Sequence, residues 1–153
     1  MHLLKMMVGP ELVVIILALV LIVAVFFLKG IMQPAKMVEV KVGNTTVDAE
    51  MADTLPKQIK GLMFRSSLPQ NEGMLFDFGE EGYHGIWMMN MSFPIDIIWI
   101  NNGKVVDIKK DAQPCLLFCE SYSPKEPARY ILEVNANFTE RHSIKIGTKV
   151  ELQ

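Results

Sequence analysis

The sequence predicts a mainly β fold: a small β-barrel-like domain with two short helices, preceded by one N-terminal transmembrane helix. Three observations carry this. An apolar run from Leu12 to Leu28 contains no charge, Gly or Pro. Beyond it, short segments alternate apolar and polar residues with the period of a strand. Turn signals punctuate them, among them Gly43-Asn44 and Asn101-Asn102-Gly103.

The first element is the apolar run. At ~1.5 Å per residue it covers roughly 26 Å, near the lower limit for a hydrocarbon core of ~30 Å. Ile31 and Met32 lengthen it if Lys29 snorkels to the headgroups. Gly9-Pro10-Glu11 closes one side, and Lys29-Gly30 with Pro34 closes the other. The organisation expected is a tail at 1–11, an anchor at 12–32, a linker at 33–36 and a β-rich domain at 37–153. A cleaved signal peptide with His2 and Lys5 in its n-region is the rival reading, but no A-x-A pattern follows Leu28.

Flanking charge says little about topology. His2 and Lys5 lie upstream, and Lys29, Lys36 and Lys41 downstream, a count that slightly favours a cytoplasmic C-terminal domain. Two features point outward instead. Cys115 and Cys119 are the only cysteines, and a close even pair suits an oxidising compartment. Asn44-Thr45-Thr46, Asn90-Met91-Ser92 and Asn137-Phe138-Thr139 match the N-glycosylation pattern. The expectation is a single-pass membrane protein, bound to the lipid bilayer through residues 12–28, with its C-terminal domain outside the cytoplasm.

Within the domain, Met37–Val42 and Thr45–Ala52 read as a hairpin around Gly43-Asn44. Thr54 is a candidate N-cap for a helix over residues 56–64, with Pro56 in its first turn and Ile59, Leu62 and Met63 on one face. Strands are expected at Met74–Phe78, Gly85–Asn90, Ile95–Ile100, Lys104–Ile108, Tyr130–Val134 and Lys149–Leu152. A short helix is expected at Ala136–His142. Residues 111–127, with both cysteines, read as a long irregular loop, a feature that in a compact domain is usually functional or pinned.

Fifteen basic and seventeen acidic residues give a formal charge of −2, with no basic stripe, so nucleic acid is not an expected partner. There is no G-x-S-x-G, H-E-x-x-H or phosphate loop. Met63, Met74, Met88, Met89 and Met91 with His84 and both cysteines suggest a soft-metal set, but Met also fills irregular core gaps. No H-x-x-H or C-x-x-C spacing supports a metal, and none is expected, nor any cofactor.

Arg65 follows an apolar helical face and either pairs structurally with Asp77 or Asp96 or contacts a ligand. Asp96 enters the apolar run Ile97-Ile98-Trp99-Ile100, so it faces solvent or is buried with a partner. On a strand, Trp87, Met89 and Met91 share one face, and Met88 and Asn90 the other. A Cys115–Cys119 disulfide would present Leu116-Leu117-Phe118 on a small pinned loop, a contact surface for lipid or a partner. Asp77, Glu80 and Glu81 beside His84 form either an acid/base cluster or a solvated loop.

Several segments occur in a fixed order: Gly61-Leu62-Met63-Phe64-Arg65, Gly73-Met74-Leu75-Phe76, Trp87-Met88 with Asn90, Pro94 and Asp96, Pro114-Cys115 with Cys119 and Tyr122, and Ile146-Gly147. This set resembles the family called domain of unknown function 192, from about Val38 to Leu152. The resemblance implies a small β-rich fold, often behind a signal peptide or anchor, and no established reaction. One departure stands out. The family's usual W-M-K-N-T is here Trp87-Met88-Met89-Asn90-Met91, so a lysine nucleophile or base at that position is missing.

The leading expectation is a non-enzymatic extracytoplasmic domain that binds a small polar ligand or an envelope protein. Arg65, Asn90 and Asp96 would contact the ligand and Trp87 would wall it. The alternatives are an envelope hydrolase with Asp96 as base and Arg65 as oxyanion clamp, and a purely structural module.

Overall fold

The computed structural model describes residues 9–31 and 35–153, and the chain divides into two units at Ala35–Lys36. In the first, helix α1 spans Pro10–Ile31, 22 residues with Glu11 in its first turn. Its apolar side chains from Leu12 to Val25 stand exposed, as Leu17 (62%) and Leu21 (66%) do. Among the described residues no helix is long and apolar enough to cross a membrane, so the structure does not support the expected span. Residues 1–8 of the expected tail, residue 32 at the end of the expected anchor and 33–34 of the expected linker lie outside the described residues.

The second unit is built on nine strands, β1 (Met37–Val42), β2 (Thr45–Ala52), β3 (Glu72–Gly82), β4 (Ile86–Trp87), β5 (Ile95–Asn101), β6 (Lys104–Ala112), β7 (Ser121–Tyr122), β8 (Ala128–Asn135) and β9 (Val150–Leu152), with short helices α2 (Leu55–Lys60) and α3 (Phe138–Arg141). Seven strands form one sheet in the order β6-β5-β8-β3-β2-β1-β9, and β4 and β7 pair separately. Only β2 and β3 run parallel in the large sheet, as their connection through α2 requires. The sheet curls until its two ends meet. Val105 N–H donates to Thr148 O (2.9 Å) and Val150 N–H to Gly103 O (2.8 Å). The result is the barrel-like, mainly β architecture expected.

Both expected hairpins form. Gly43 (φ +60°) is the first of two loop residues between β1 and β2, where a type II′ turn places Gly. Between β5 and β6, Asn102 (φ +47°) and Gly103 (φ +68°) both take the left-handed conformation that a type I′ turn requires. Helix α2 is shorter than expected, ending at Gly61 (φ +48°), whose N–H donates to Lys57 O. Thr54 occupies its N-cap position without a side-chain cap bond.

Period-2 alternation gives the sheet two apolar faces and two cores. One packs Val40, Val47, Leu75, Ile98, Leu132 and Val134 together. The other packs Met74, Phe76, Ile97, Trp99 and Ile131 against Leu62, Ile86, Met88 and Met91 from the segments outside the sheet.

The segment around Trp87 departs from expectation. The strand expected over residues 85–90 is only Ile86–Trp87, because Asn90 is left-handed (φ +55°) and turns the chain. Alternation therefore fails, and Met88 and Met91, assigned to opposite faces, are buried in the same core.

Candidate functional site

A cavity of about 530 Å³ lies between the second face of the sheet and the elements outside it. Its walls are Ile59, Leu62 and Met63 from α2 and the turn after it, Phe76 and Phe78 from β3, Ile86 and Trp87 from β4, and Met91. Ser121 and Ser123, in and just after β7, are exposed at the lining, as is Lys60. Glu133 of β8 is the acidic group among the lining residues.

Glu133 is the unusual group of this structure. It is 4% exposed, and its Oε2 has no hydrogen-bond partner among the described residues. Register explains how an acid reaches an apolar wall. Glu50, Met74, Glu133 and Ile97 form one cross-strand row over β2, β3, β8 and β5, so all four point to the same face. Burial pushes the Glu133 carboxyl up to about 8, against a smaller downward pull from the Arg65 guanidinium. At neutral pH it is mostly a neutral acid, a hydrogen-bond donor and a weak base. Sequence alone does not single it out. The signal was an acid inside the apolar alternation of Tyr130–Val134, of the same kind that singled out Asp96.

Arg65 does not meet Asp96. Its Nη2 donates to a Glu50 carboxylate oxygen, in a pair about a quarter to a third exposed. The expected Arg65–Asp96 pair is overturned because the two lie on opposite faces of the sheet: Asp96 pairs with Val134, one residue out of phase with Ile97 and Glu133. The other partner offered by sequence, Asp77, is held by Arg129 through two bonds of 3.0 and 3.1 Å. That hydrogen-bonded guanidinium is the main reason the Asp77 carboxyl lies below its ordinary range.

Asp96 is fully buried and fully engaged. Its Oδ1 accepts from the Asp111 N–H (2.9 Å) and the Asn137 N–H (3.3 Å). Its Oδ2 accepts from the Thr139 N–H (2.9 Å) and the Thr139 hydroxyl (2.6 Å). It thereby fixes two left-handed residues, Asp111 (φ +49°) and Asn137 (φ +65°), and the start of α3. No lone pair is left facing an open site, so the base role expected of Asp96 has no geometry.

Of the remaining candidates, Trp87 lines the cavity and is 47% exposed. Asn90 does not line it. Its backbone N–H donates to Cys115 O and its carbonyl accepts from Phe64 N–H, both 3.0 Å, so it holds a turn. Met89, where the family pattern has lysine, bridges backbone to backbone with Cys115 and is also outside the lining. Cys115 and Cys119 form the expected disulfide, with Cα atoms 5.7 Å apart. Leu116, Leu117 and Phe118 stand 75%, 78% and 102% exposed on that loop. The acid/base cluster around His84 does not assemble: His84 stacks on Phe78 at 3.9 Å and its Nε2 meets Glu80 O.

Known proteins share this frame. The sequence profile of domain of unknown function 192, described as an uncharacterized ACR, matches residues 38–152. A UPF0127 protein of Pyrococcus furiosus is 31% identical over 111 residues, 69% of this chain and 86% of that protein. A UPF0127 protein of Thermococcus gammatolerans is 36% identical over 87 residues, 55% of this chain, and the match spans about half (52%) of that protein. Among solved structures, a Novosphingobium aromaticivorans protein of unknown function superposes with a TM-score of 0.73 at 32% identity, over 78% of this chain and 88% of that one. A Sinorhizobium meliloti protein, provisionally described as a transcription regulator, gives 0.73 at 28% identity, over 77% and 95%. The profile covers the whole β domain from β1 to β9, and the chain belongs to the domain of unknown function 192 family.

Proposed function

We propose that this protein is a membrane-tethered, non-catalytic binding module whose cavity takes one small molecule with an apolar body and a single polar group. One observation carries the reading: a buried carboxyl with an unpartnered oxygen lines an apolar cavity of about 530 Å³. A buried polar atom without a partner costs about 1–3 kcal/mol, and a ligand that supplies the missing bond recovers it. The polar contacts that the sequence assigned to Arg65, Asn90 and Asp96 pass to Glu133, while Trp87 keeps its place as an apolar wall. Binding is favoured over hydrolysis because the base of the hydrolase reading, Asp96, is saturated on the other face of the sheet.

The membrane tether is supported by the apolar run Leu12–Leu28 and by the exposed apolar side chains of α1. Exposed Leu116-Leu117-Phe118 is a second apolar surface suited to lipid. Placement of the domain outside the cytoplasm is supported by the disulfide. Protease protection in sealed vesicles tests the compartment: protease on the cytoplasmic side should leave the domain intact, and its digestion there would refute the placement.

The binding test is a fragment screen by NMR on the full chain in maltoside micelles. Hits should shift the Trp87 indole and the Ile59 and Met91 methyls together. A screen whose hits map elsewhere, or leave these signals still, would refute the cavity as the site. For the tether, fractionation should leave the intact chain in the membrane pellet after carbonate washing; recovery in the soluble phase would refute it.

A further inference from the structure

We propose that the cavity selects an organic ammonium: a primary or secondary amine, charged in water, on an apolar or aromatic body, whose N–H groups pair with the Glu133 carboxylate. The inference rests on the reading of this cavity as a ligand site and adds the class of ligand.

The argument is an inventory of lone pairs and donors. Gln58 donates its amide nitrogen to two backbone carbonyls, Ala52 O (3.3 Å) and Asp77 O (2.8 Å). Its side-chain oxygen is then its remaining polar atom, and Gln58 is among the lining residues. Glu133 adds an unpartnered oxygen. Once Glu133 is ionised, both groups are acceptors, and they call for a ligand rich in donors. Phe76, Phe78 and Trp87 are aromatic lining residues, and Trp87, half exposed and with no ring stacked on it among the described residues, is the ring best placed to meet a cation.

Charge points the same way. On β2, Glu50 already holds Arg65, so that guanidinium is paired and outside the lining. Met74, the β3 neighbour of Glu133, and Ile97, its β5 neighbour, carry no charge. Lys109 lies one strand further along the row, opposite Ile97, with its Nζ over the Tyr122 ring. From α2, Lys60 is exposed at the lining, where water screens it. His84, which leads into β4, is stacked on Phe78. With Glu133 ionised, the Glu50–Arg65–Glu133 set carries one net negative charge, and a bound ammonium balances it. Binding then has a proton cost. At neutral pH the Glu133 carboxyl gives its proton to the buffer before the carboxylate pairs with the ligand.

The test uses the full chain in maltoside micelles with three probes that share a phenethyl body: 2-phenylethylammonium, 2-phenylethanol and 3-phenylpropanoate. Calorimetry in two buffers of different ionisation enthalpy counts protons. The ammonium should bind best and release up to about one proton at pH 6.5. Its affinity should rise about tenfold per pH unit up to pH 8 and then level. Glu133→Gln should weaken the ammonium roughly 10- to 100-fold at pH 8 and leave 2-phenylethanol within about twofold. Lys60→Met should strengthen the ammonium slightly. If 2-phenylethanol or 3-phenylpropanoate binds more tightly, with affinity falling through pH 8, the cavity remains a ligand site and the ammonium inference is overturned. If none of the three shifts the Trp87 indole, the cavity reading itself fails with it.

Discussion

Asp96 and Glu133 are both buried acids, on neighbouring strands and one residue out of register, yet they do opposite things. Asp96 sits on one face of the sheet with both oxygens filled by four donors. Glu133 sits on the other with an oxygen that nothing among the described residues satisfies. The first spends its charge tying Asp111, Asn137 and Thr139 to the end of the barrel. The second is an expense within the domain and makes sense as a group waiting for something from outside it. Burial alone does not mark a functional acid; the count of its filled lone pairs separates a structural carboxylate from a candidate site.

The largest effect should come from the saturated acid. Asp96→Ala strands the N–H groups of Asp111, Asn137 and Thr139 without water, and should lower stability by about 3–5 kcal/mol in urea unfolding. Asp96→Asn should recover little, since its amide nitrogen faces donors. A loss under about 1 kcal/mol would show that water replaces the carboxylate, and the contrast between the two acids would collapse.

The open acid should respond with the reverse sign. Its carboxyl, near the usual carboxylate range when unfolded, is raised to about 8 in the fold. Between those limits the folded state binds more protons than the unfolded one, so stability is greatest below the unfolded pKa and falls as pH rises through about 8. The slope from this group should be on the order of 1 kcal/mol per pH unit. Glu133→Gln should flatten that slope and stabilise the protein above pH 7. An unchanged slope would place Glu133 in contact with solvent and remove the reason to look for a ligand.

Away from both acids, the cysteine loop offers a smaller perturbation. Closing so short a loop contributes about 2 kcal/mol in the chain-entropy model. Cys115→Ser with Cys119→Ser should cost about that much by thermal unfolding. Because Cys115 carbonyl and amide both bond to the segment of Met88 and Asn90, the cavity wall should loosen as well, seen as a shift of the Trp87 indole. A stability loss with no shift at Trp87 would confine the bridge to its own loop.

Much of this fold could be read from residues, for local reasons. Alternation over Met37–Val42 and Thr45–Ala52 and the left-handed Asn102-Gly103 turn are set by neighbours in sequence, and both hairpins appear in register. The segment after Trp87 departs from its alternation because alternation holds only while a strand lasts, and left-handed Asn90 breaks it. The site is legible only in part. Trp87 is readable, but joining Glu50, Met74 and Glu133 in one row needs the pairing of residues up to 59 apart, Met74 with Glu133, which a sequence pattern does not contain. For the same reason an acid in an apolar strand drew attention at Asp96 and not at Glu133. Sequence shows that such an acid is exceptional, and only topology shows which face it takes.

The smallest effect gives the most direct check on that partition. Arg65 and Glu50 form a pair on the cavity face, partly open to water, with side chains 32% and 25% exposed. Screening at such exposure limits the coupling to at most about 1 kcal/mol. A double-mutant cycle with Arg65→Met and Glu50→Gln should return a coupling of that size. The parallel cycle with Arg65→Met and Asp96→Asn should be additive within about 0.5 kcal/mol, because the sheet stands between them and no partner is shared. Arg65→Met should also raise the Glu133 pKa further, as the guanidinium is the group that pulls it down, and carboxyl NMR would report that shift directly. Coupling between Arg65 and Asp96 comparable to that with Glu50 would mean that the two faces communicate, and neither acid could then be assigned its role from its own lone pairs alone.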